Sequence, residues 1–267
     1  MILFAVMIKV THLSHSFGPL WALKDVTFSL AKGEFLFLSG QSGAGKTTLL
    51  RTLYGAIPIQ RGEVRIAGFT LGDNLTSRQI ALLRRDVSVV FQDFKILPDR
   101  TVWANIAIAL EVRGLYGPSV ERRIHAVAKA LDLDGRLHTL AGALSGGEQQ
   151  RVAVARSFAV NPRVLLADEP TGNLDPDSSY EVMDILSELQ QEGKAVVIAT
   201  HNYNLLKRYP YPTYRCANCS LSLAQSYGND TDFNELIREF STEFSQESFS
   251  ESGTNIHKEP WEDFTLQ

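Results

Sequence analysis

The run Gly40-Gln41-Ser42-Gly43-Ala44-Gly45-Lys46-Thr47-Thr48 concentrates the most chemistry in this sequence. It fits the phosphate-loop pattern G-x-x-x-x-G-K-[ST]. Glycines permit backbone angles that turn successive N–H groups toward one anion. A helix starting at Lys46 adds the positive end of its dipole. Lys46 is then placed to reach the β- and γ-phosphates of a nucleotide. Thr47 offers an oxygen to Mg²⁺, a hard cation that takes such ligands. The context agrees: the apolar run Phe35-Leu36-Phe37-Leu38 precedes the loop as a buried strand, and a helix from Lys46 to about Tyr54 follows it.

A second acidic centre lies at Val164-Leu165-Leu166-Ala167-Asp168-Glu169, an apolar strand ending in two carboxylates. Asp168 suits a Mg²⁺ role, usually through water. Glu169 can orient and deprotonate an attacking water. A third centre, Leu144-Ser145-Gly146-Gly147-Glu148-Gln149-Gln150-Arg151, precedes a helix. Ser145 and the amides of Gly146 and Gly147 at a helix N-terminus form an anion receptor.

These residues are the signature of ATP-binding cassettes, and the chain resembles that family from residue 8 to about 224. The resemblance implies an α/β fold: a RecA-like P-loop core, a small antiparallel β subdomain and an inserted helical subdomain at about 95–160. It implies an ATPase that binds ATP and Mg²⁺. The whole loop, Gly40, Ser42, Gly43, Ala44, Gly45, Lys46, Thr47 and Thr48, should hold the nucleotide. Phe17 stands where the family stacks an aromatic on adenine. Gln92 matches the loop glutamine that senses Mg²⁺ and the γ-phosphate, so Thr47, Gln92 and Asp168 form the expected metal set. His201 matches the switch histidine, and Asp175, in Asn173-Leu174-Asp175, the loop that crosses the dimer interface. Glu169, His201, Lys46 and Gln92 are the expected catalytic groups. In this family the signature faces the P-loop of a second subunit. One P-loop and one signature therefore imply an ATP-dependent homodimer.

Within the family, Gly142–Arg151 and Leu166–Asp175 look like the cassettes that serve membrane partners at the cell envelope. Phe91–Trp103, with Asp93 and Asp99-Arg100-Thr101-Val102, looks like the cell-division type, FtsE. That implies an FtsX-like integral membrane partner and control of cell-wall hydrolases. The alternatives are a LolD/MacB-type exporter ATPase and a soluble cassette scaffold. Phe94, Ile96, Leu97 and Trp103 are expected to help form a groove for a short helix of that partner.

The elements that must position these residues follow from periodicity. Ile8–Leu13, Trp21–Leu30 and Val87–Phe91 read as strands, with a turn at Gly18-Pro19. Val102–Leu110, Val120–Leu131 and Glu148–Ala159 read as helices, the last stopped by Asn161-Pro162. Strand and helix then alternate through Val164–Ala167, Ser178–Gln191, Ala195–Ala199 and Leu205–Arg208, as in a parallel sheet covered by helices. Tyr214–Cys219 departs from the usual end of a cassette, where a strand and turn are expected. Its lone Cys216-x-x-Cys219 pair lacks the further ligands zinc needs. Two cysteines fit a reducing compartment.

No run reaches the length of a membrane-spanning helix, so the expected place is the inner face of the cell membrane, held there by the partner. Residues 226–267 carry a net charge of −8, and the rest +4, which suits a phosphate ligand but is no footprint for nucleic acid. The expected division is thus a cassette at 1–224 and an acidic, largely disordered tail at 225–267. In the tail, Phe233, Leu236, Ile237, Phe240 and Phe244 share one helical face and suggest a docking peptide for a cytoplasmic partner.

Overall fold

The computed structural model describes residues 6–72 and 75–224. The acidic tail, with its expected docking helix, lies outside the described residues. The chain opens with a hairpin, β1 (Val6–Phe17) and β2 (Leu20–Ala31), turning at Gly18-Pro19. Val26, Phe28 and Leu30 alternate inward while the residues between them face water, the pattern of a sheet covered on one side. β4 (Arg61–Ile66) and β5 (Phe69–Leu71) complete a four-stranded antiparallel sheet in the order β2-β1-β4-β5.

The second sheet has the order β10-β9-β3-β8-β7-β6. It comprises β3 (Phe35–Ser39), β6 (Val87–Val90), β7 (Val164–Asp168), β8 (Ala195–Thr200), β9 (Thr213–Ala217) and β10 (Ser220–Ala224). All neighbours run parallel except β9 and β10. Every residue of β3 and β8 is buried, as in a parallel sheet covered on both faces. The loops after β3, β6, β7 and β8 leave the same carboxyl edge, where open parallel sheets bind ligands. Those loops begin with Gly40, Phe91-Gln92, Glu169 and His201.

Helices α1 (Lys46–Leu53), α6 (Pro176–Gln191) and α7 (Tyr203–Arg208) accompany this sheet. The inserted lobe contains α3 (Val102–Glu111), α4 (Pro118–Ala130) and α5 (Gly146–Ala159). Thr101 caps α3 through Ala104 N–H, and Asp175 caps α6 with Pro176 in its first turn. Asn105 is fully buried, and its amide is matched to both the N–H and the carbonyl of Leu97. It thereby pins the start of the lobe to its first helix.

Several elements lie outside the sequence expectation. β4, β5 and α2 (Ser77–Asp86) were not anticipated. β4 begins Arg61-Gly62-Glu63, too polar to read as a strand, and α2 buries only Leu83. Its visible signal was the capping box of Thr76 and Gln79. Tyr214–Cys219 does form the strand and turn: Cys216 pairs with Leu221 across a β9–β10 hairpin.

Candidate functional site

Two glycines set the shape of the phosphate loop. Gly40 has φ 142°, and a Cβ there would sit 2.4 Å from the carbonyl oxygen of Cys216. Gly45 has φ 99°, and a Cβ there would sit 2.3 Å from the Ala22 carbonyl oxygen. Side chains are excluded at both by conformation and by space. Gly45 is also the N-cap of α1 and makes no side-chain cap. The amides of the first turn are thus left facing the loop, as an anion receptor requires. Ser42, Gly43 and Thr47 are exposed, while Ala44 and Thr48 are half-buried. Lys46 is buried, and its ammonium donates to the carbonyls of Gly40 at 2.6 Å and Gln41 at 2.9 Å.

Glu169, just beyond β7, lies against that lysine. Its carboxylate Oε1 is 3.6 Å from Lys46 Nζ and 2.8 Å from His201 Nδ1. The His201 N–H donates to Oε2 at 3.3 Å. Glu169 has φ 47°, a left-handed conformation unusual for a side-chain-bearing residue. Its N–H donates to the Ala199 carbonyl at 2.9 Å, which holds the turn against β8. Three residues far apart in sequence thus meet because β3, β8 and β7 are consecutive in the sheet.

Asp168 precedes this group. Burial pushes its carboxyl up, a hydrogen bond with Thr47 opposes that, and the adjacent Glu169 charge reinforces it. Its Oδ1 is buried without a hydrogen-bond partner. A buried orphan carboxylate oxygen beside a threonine hydroxyl is the donor chemistry a hard divalent cation needs. Among the described residues, no group of three or more His, Cys, Asp or Glu could hold a metal ion by itself. A cation at Asp168 and Thr47 would take further ligands from phosphate and water. Gln92 is exposed, and its amide nitrogen lies 3.5 Å from where a Gly172 Cβ would be. The backbone carbonyl of Gln92 accepts from Asn173 Nδ2 at 3.3 Å.

The signature residues sit elsewhere. Ser145 is the N-cap of α5, and the neighbours of Gly146 and Gly147 include Leu174, Asn173 and Ser178 of the same chain. Asp175 Oδ1 accepts from Ser178 N–H at 3.0 Å. The signature thus rests on the Asn173–Asp175 loop. Phe17 is 55% exposed, so it is no core residue, and its ring meets His15 edge-on at 4.8 Å.

The groove expected around Phe94 and Trp103 does not coincide with a cleft formed by other residues. A cleft of about 690 Å³ lies between α2, β6, α3 and α5, with Ile80, Phe91, Ile108 and Val112 among its lining and Arg84, Arg85, Arg113 and Arg156 at its polar parts. Phe94, Ile96, Leu97 and Trp103 do not line it. All four are half-buried; Trp103 packs edge-on against His125 of α4, and Leu97 is bonded to Asn105. Trp103 and Leu97 thus make contacts within the lobe. Sequence reasoning also passed over Arg156. It donates to the carbonyls of Lys95 at 2.6 Å and Phe94 at 3.1 Å, two left-handed residues just beyond Gln92. The available signal was a single charge within the apolar stretch Val152–Ala159 of α5.

Comparison with known proteins agrees with this fold. The ABC transporter family profile matches residues 23–172. The cell division ATP-binding protein FtsE of Streptococcus pneumoniae D39 is 45% identical over 185 residues, 69% of this chain and 80% of that protein. FtsE of Escherichia coli K12 is 41% identical over 206 residues, 77% of this chain and 92% of that protein. Among solved structures, the dimeric bacterial ABC transporter cassette MJ0796 superposes with a TM-score of 0.74 at 31% identity, covering 84% of this chain and all of that one. A post-hydrolysis dimer of MJ0796 bound to ADP and Pi gives a TM-score of 0.74 at 29% identity, with the same coverage.

Proposed function

Because the chain belongs to the ABC transporter family of ATP-binding cassettes, we propose that it is the ATP-hydrolysing subunit of an FtsE-type cell-division complex. The observation that carries the chemistry is the meeting of Lys46, Glu169 and His201 at one sheet edge. Lys46, with the loop amides, binds the β- and γ-phosphates. Glu169 orients the attacking water and takes its proton. His201 holds that carboxylate from the side through its ring and its N–H. Thr47, Asp168 and Gln92 would hold Mg²⁺, which would supply positive charge against the phosphates. Phe17 offers an exposed ring face to adenine.

The chain carries one phosphate loop and one signature, and the signature rests on the loop ahead of α6. We place the ATP between two copies, each signature receiving the γ-phosphate held by the other copy. Among the described residues, no helix is long and apolar enough to cross a membrane. In this reading an FtsX-like partner holds the subunit at the inner face of the membrane. The cleft beside Phe91 suits an amphipathic helix of that partner, since Ile108 and Val112 are exposed at 38% and 80% and arginines flank them.

The test is Glu169→Gln. General-base removal lowers hydrolysis by about 10²–10⁴-fold. The variant should still bind ATP, form ATP-dependent dimers in light scattering, and copurify with a membrane protein. Hydrolysis at the unaltered rate would remove Glu169 from the role of base. A copurifying partner with a long periplasmic stalk would turn the reading toward export.

A further inference from the structure

The first turn of α5 is closed by a reciprocal cap. Ser145 Oγ and Ser145 N–H both donate to Glu148 Oε2, each at 2.9 Å, and Glu148 N–H donates to Ser145 Oγ at 3.3 Å. A serine hydroxyl has one proton to give. Here it goes to a carboxylate, whereas a γ-phosphate, which only accepts, needs that same proton. Glu148 also brings a full negative charge to the helix end proposed to receive the phosphate. Its carboxyl lies below the usual range because the N–H and hydroxyl of Ser145 donate to it, with Arg136 adding to the effect. The second carboxylate oxygen, Oε1, is held by Arg136 Nε at 3.2 Å. Arg136 ends the single 3₁₀ turn Asp134–Arg136, on the approach to the signature.

We propose that Arg136 is a positioning residue for ATP: it anchors Glu148 through Oε1 and offsets its charge, so that Ser145 can turn its proton to the γ-phosphate carried by a second copy. This rests on the reading that the signature faces the other copy's nucleotide. Without the guanidinium, the carboxylate is left with Ser145 as its main partner, and the incoming phosphate meets an uncompensated like charge. Charge-assisted hydrogen bonds are the stronger kind, so the effect on ATP should be readable. The Arg136 side chain is bonded to Glu148, and its proposed effect on ATP runs through that carboxylate.

The experiment measures ATP-driven dimerisation by light scattering in the full chain carrying Glu169→Gln. Adding Arg136→Ala should raise the ATP concentration at the dimerisation midpoint by about tenfold. Adding Glu148→Gln as well should restore the midpoint, because a neutral amide still caps Ser145 but needs no counter-charge. Arg136→Lys should keep most of the wild-type behaviour. With Glu169 intact, Arg136→Ala should raise KM for ATP and leave kcat within about twofold, since a loss of uniform binding appears in KM. No dimer from the parent Glu169→Gln protein would sink the two-copy reading itself. A parent that dimerises while Arg136→Ala leaves the midpoint unmoved would overturn the role of Arg136. So would an equal loss in Arg136→Ala and in Arg136→Ala with Glu148→Gln, which would make the arginine only a brace of the lobe.

Discussion

At the scale of residues, the site is a set of charges whose partners decide their behaviour. Glu148 shows this most directly. Its folded carboxyl titrates below its ordinary value of 4.5, held there mainly by Ser145. The stabilisation it contributes is therefore complete above that ordinary value and is lost as pH falls through the lower folded one. The difference in denaturation free energy between wild type and Glu148→Gln should be constant near neutral pH. It should shrink toward acid, and a difference that grows on acidification would contradict the assignment. Lys46, Asp168, Glu169, Ser145 and His201 were legible because each is a functional type at a fixed place in a spaced pattern. S-x-x-E at 145–148 was likewise visible in the sequence as a capping pattern. Arg136 was not, because its meaning is a contact across an intervening loop and turn. Nor was the Glu169–His201 pair, which exists only because β7 and β8 are neighbours.

At the scale of elements, α5 ties the Ser145–Arg151 signature to the loop that follows Gln92. Its far end carries Arg156, whose guanidinium holds Phe94 and Lys95 in left-handed conformations. Arg156 also lines the cleft proposed for the membrane partner. One side chain thus joins the cleft proposed for a partner to the loop that follows Gln92. Arg156→Ala leaves two carbonyls short of a donor, a loss of about 1–3 kcal/mol for each group that stays buried. The expected result is a lower unfolding midpoint together with ATPase that responds weakly to the partner. Unchanged stability and full stimulation by the partner would show the clamp to be incidental. The helices of the lobe were readable from their apolar spacing. The cleft was not, since Ile80, Phe91 and Ile108 come from three separate elements. The terminal hairpin is a similar case. The Cys216-x-x-Cys219 spacing does not reveal that burial pushes the Cys216 thiol up to about 12 and that Cys216 lies directly against Gly40.

At the scale of the whole molecule, every residue assigned to ATP lies before position 202. Removing residues 225–267 should therefore leave the ATPase of the cassette nearly unchanged, and a pull-down with and without them should differ by the tail's partner. Identical partner sets would end the docking-peptide idea, and a large fall in ATPase would mean the tail supports the cassette. The α/β class was legible from the alternation after Asn161. The strand order was not, because periodicity carries no information about which strands become neighbours. That order has a consequence for the protein at birth. β1 and β2 can pair as soon as they leave the ribosome, but β3 takes both its neighbours, β8 and β9, from near the end of the cassette. At about 5–20 residues per second, the wholly buried strand ahead of the phosphate loop waits on the order of ten seconds for a companion. Slow translation between β3 and β8 should therefore increase the demand for chaperones, and a chain cut short before Ala195 should aggregate rather than fold.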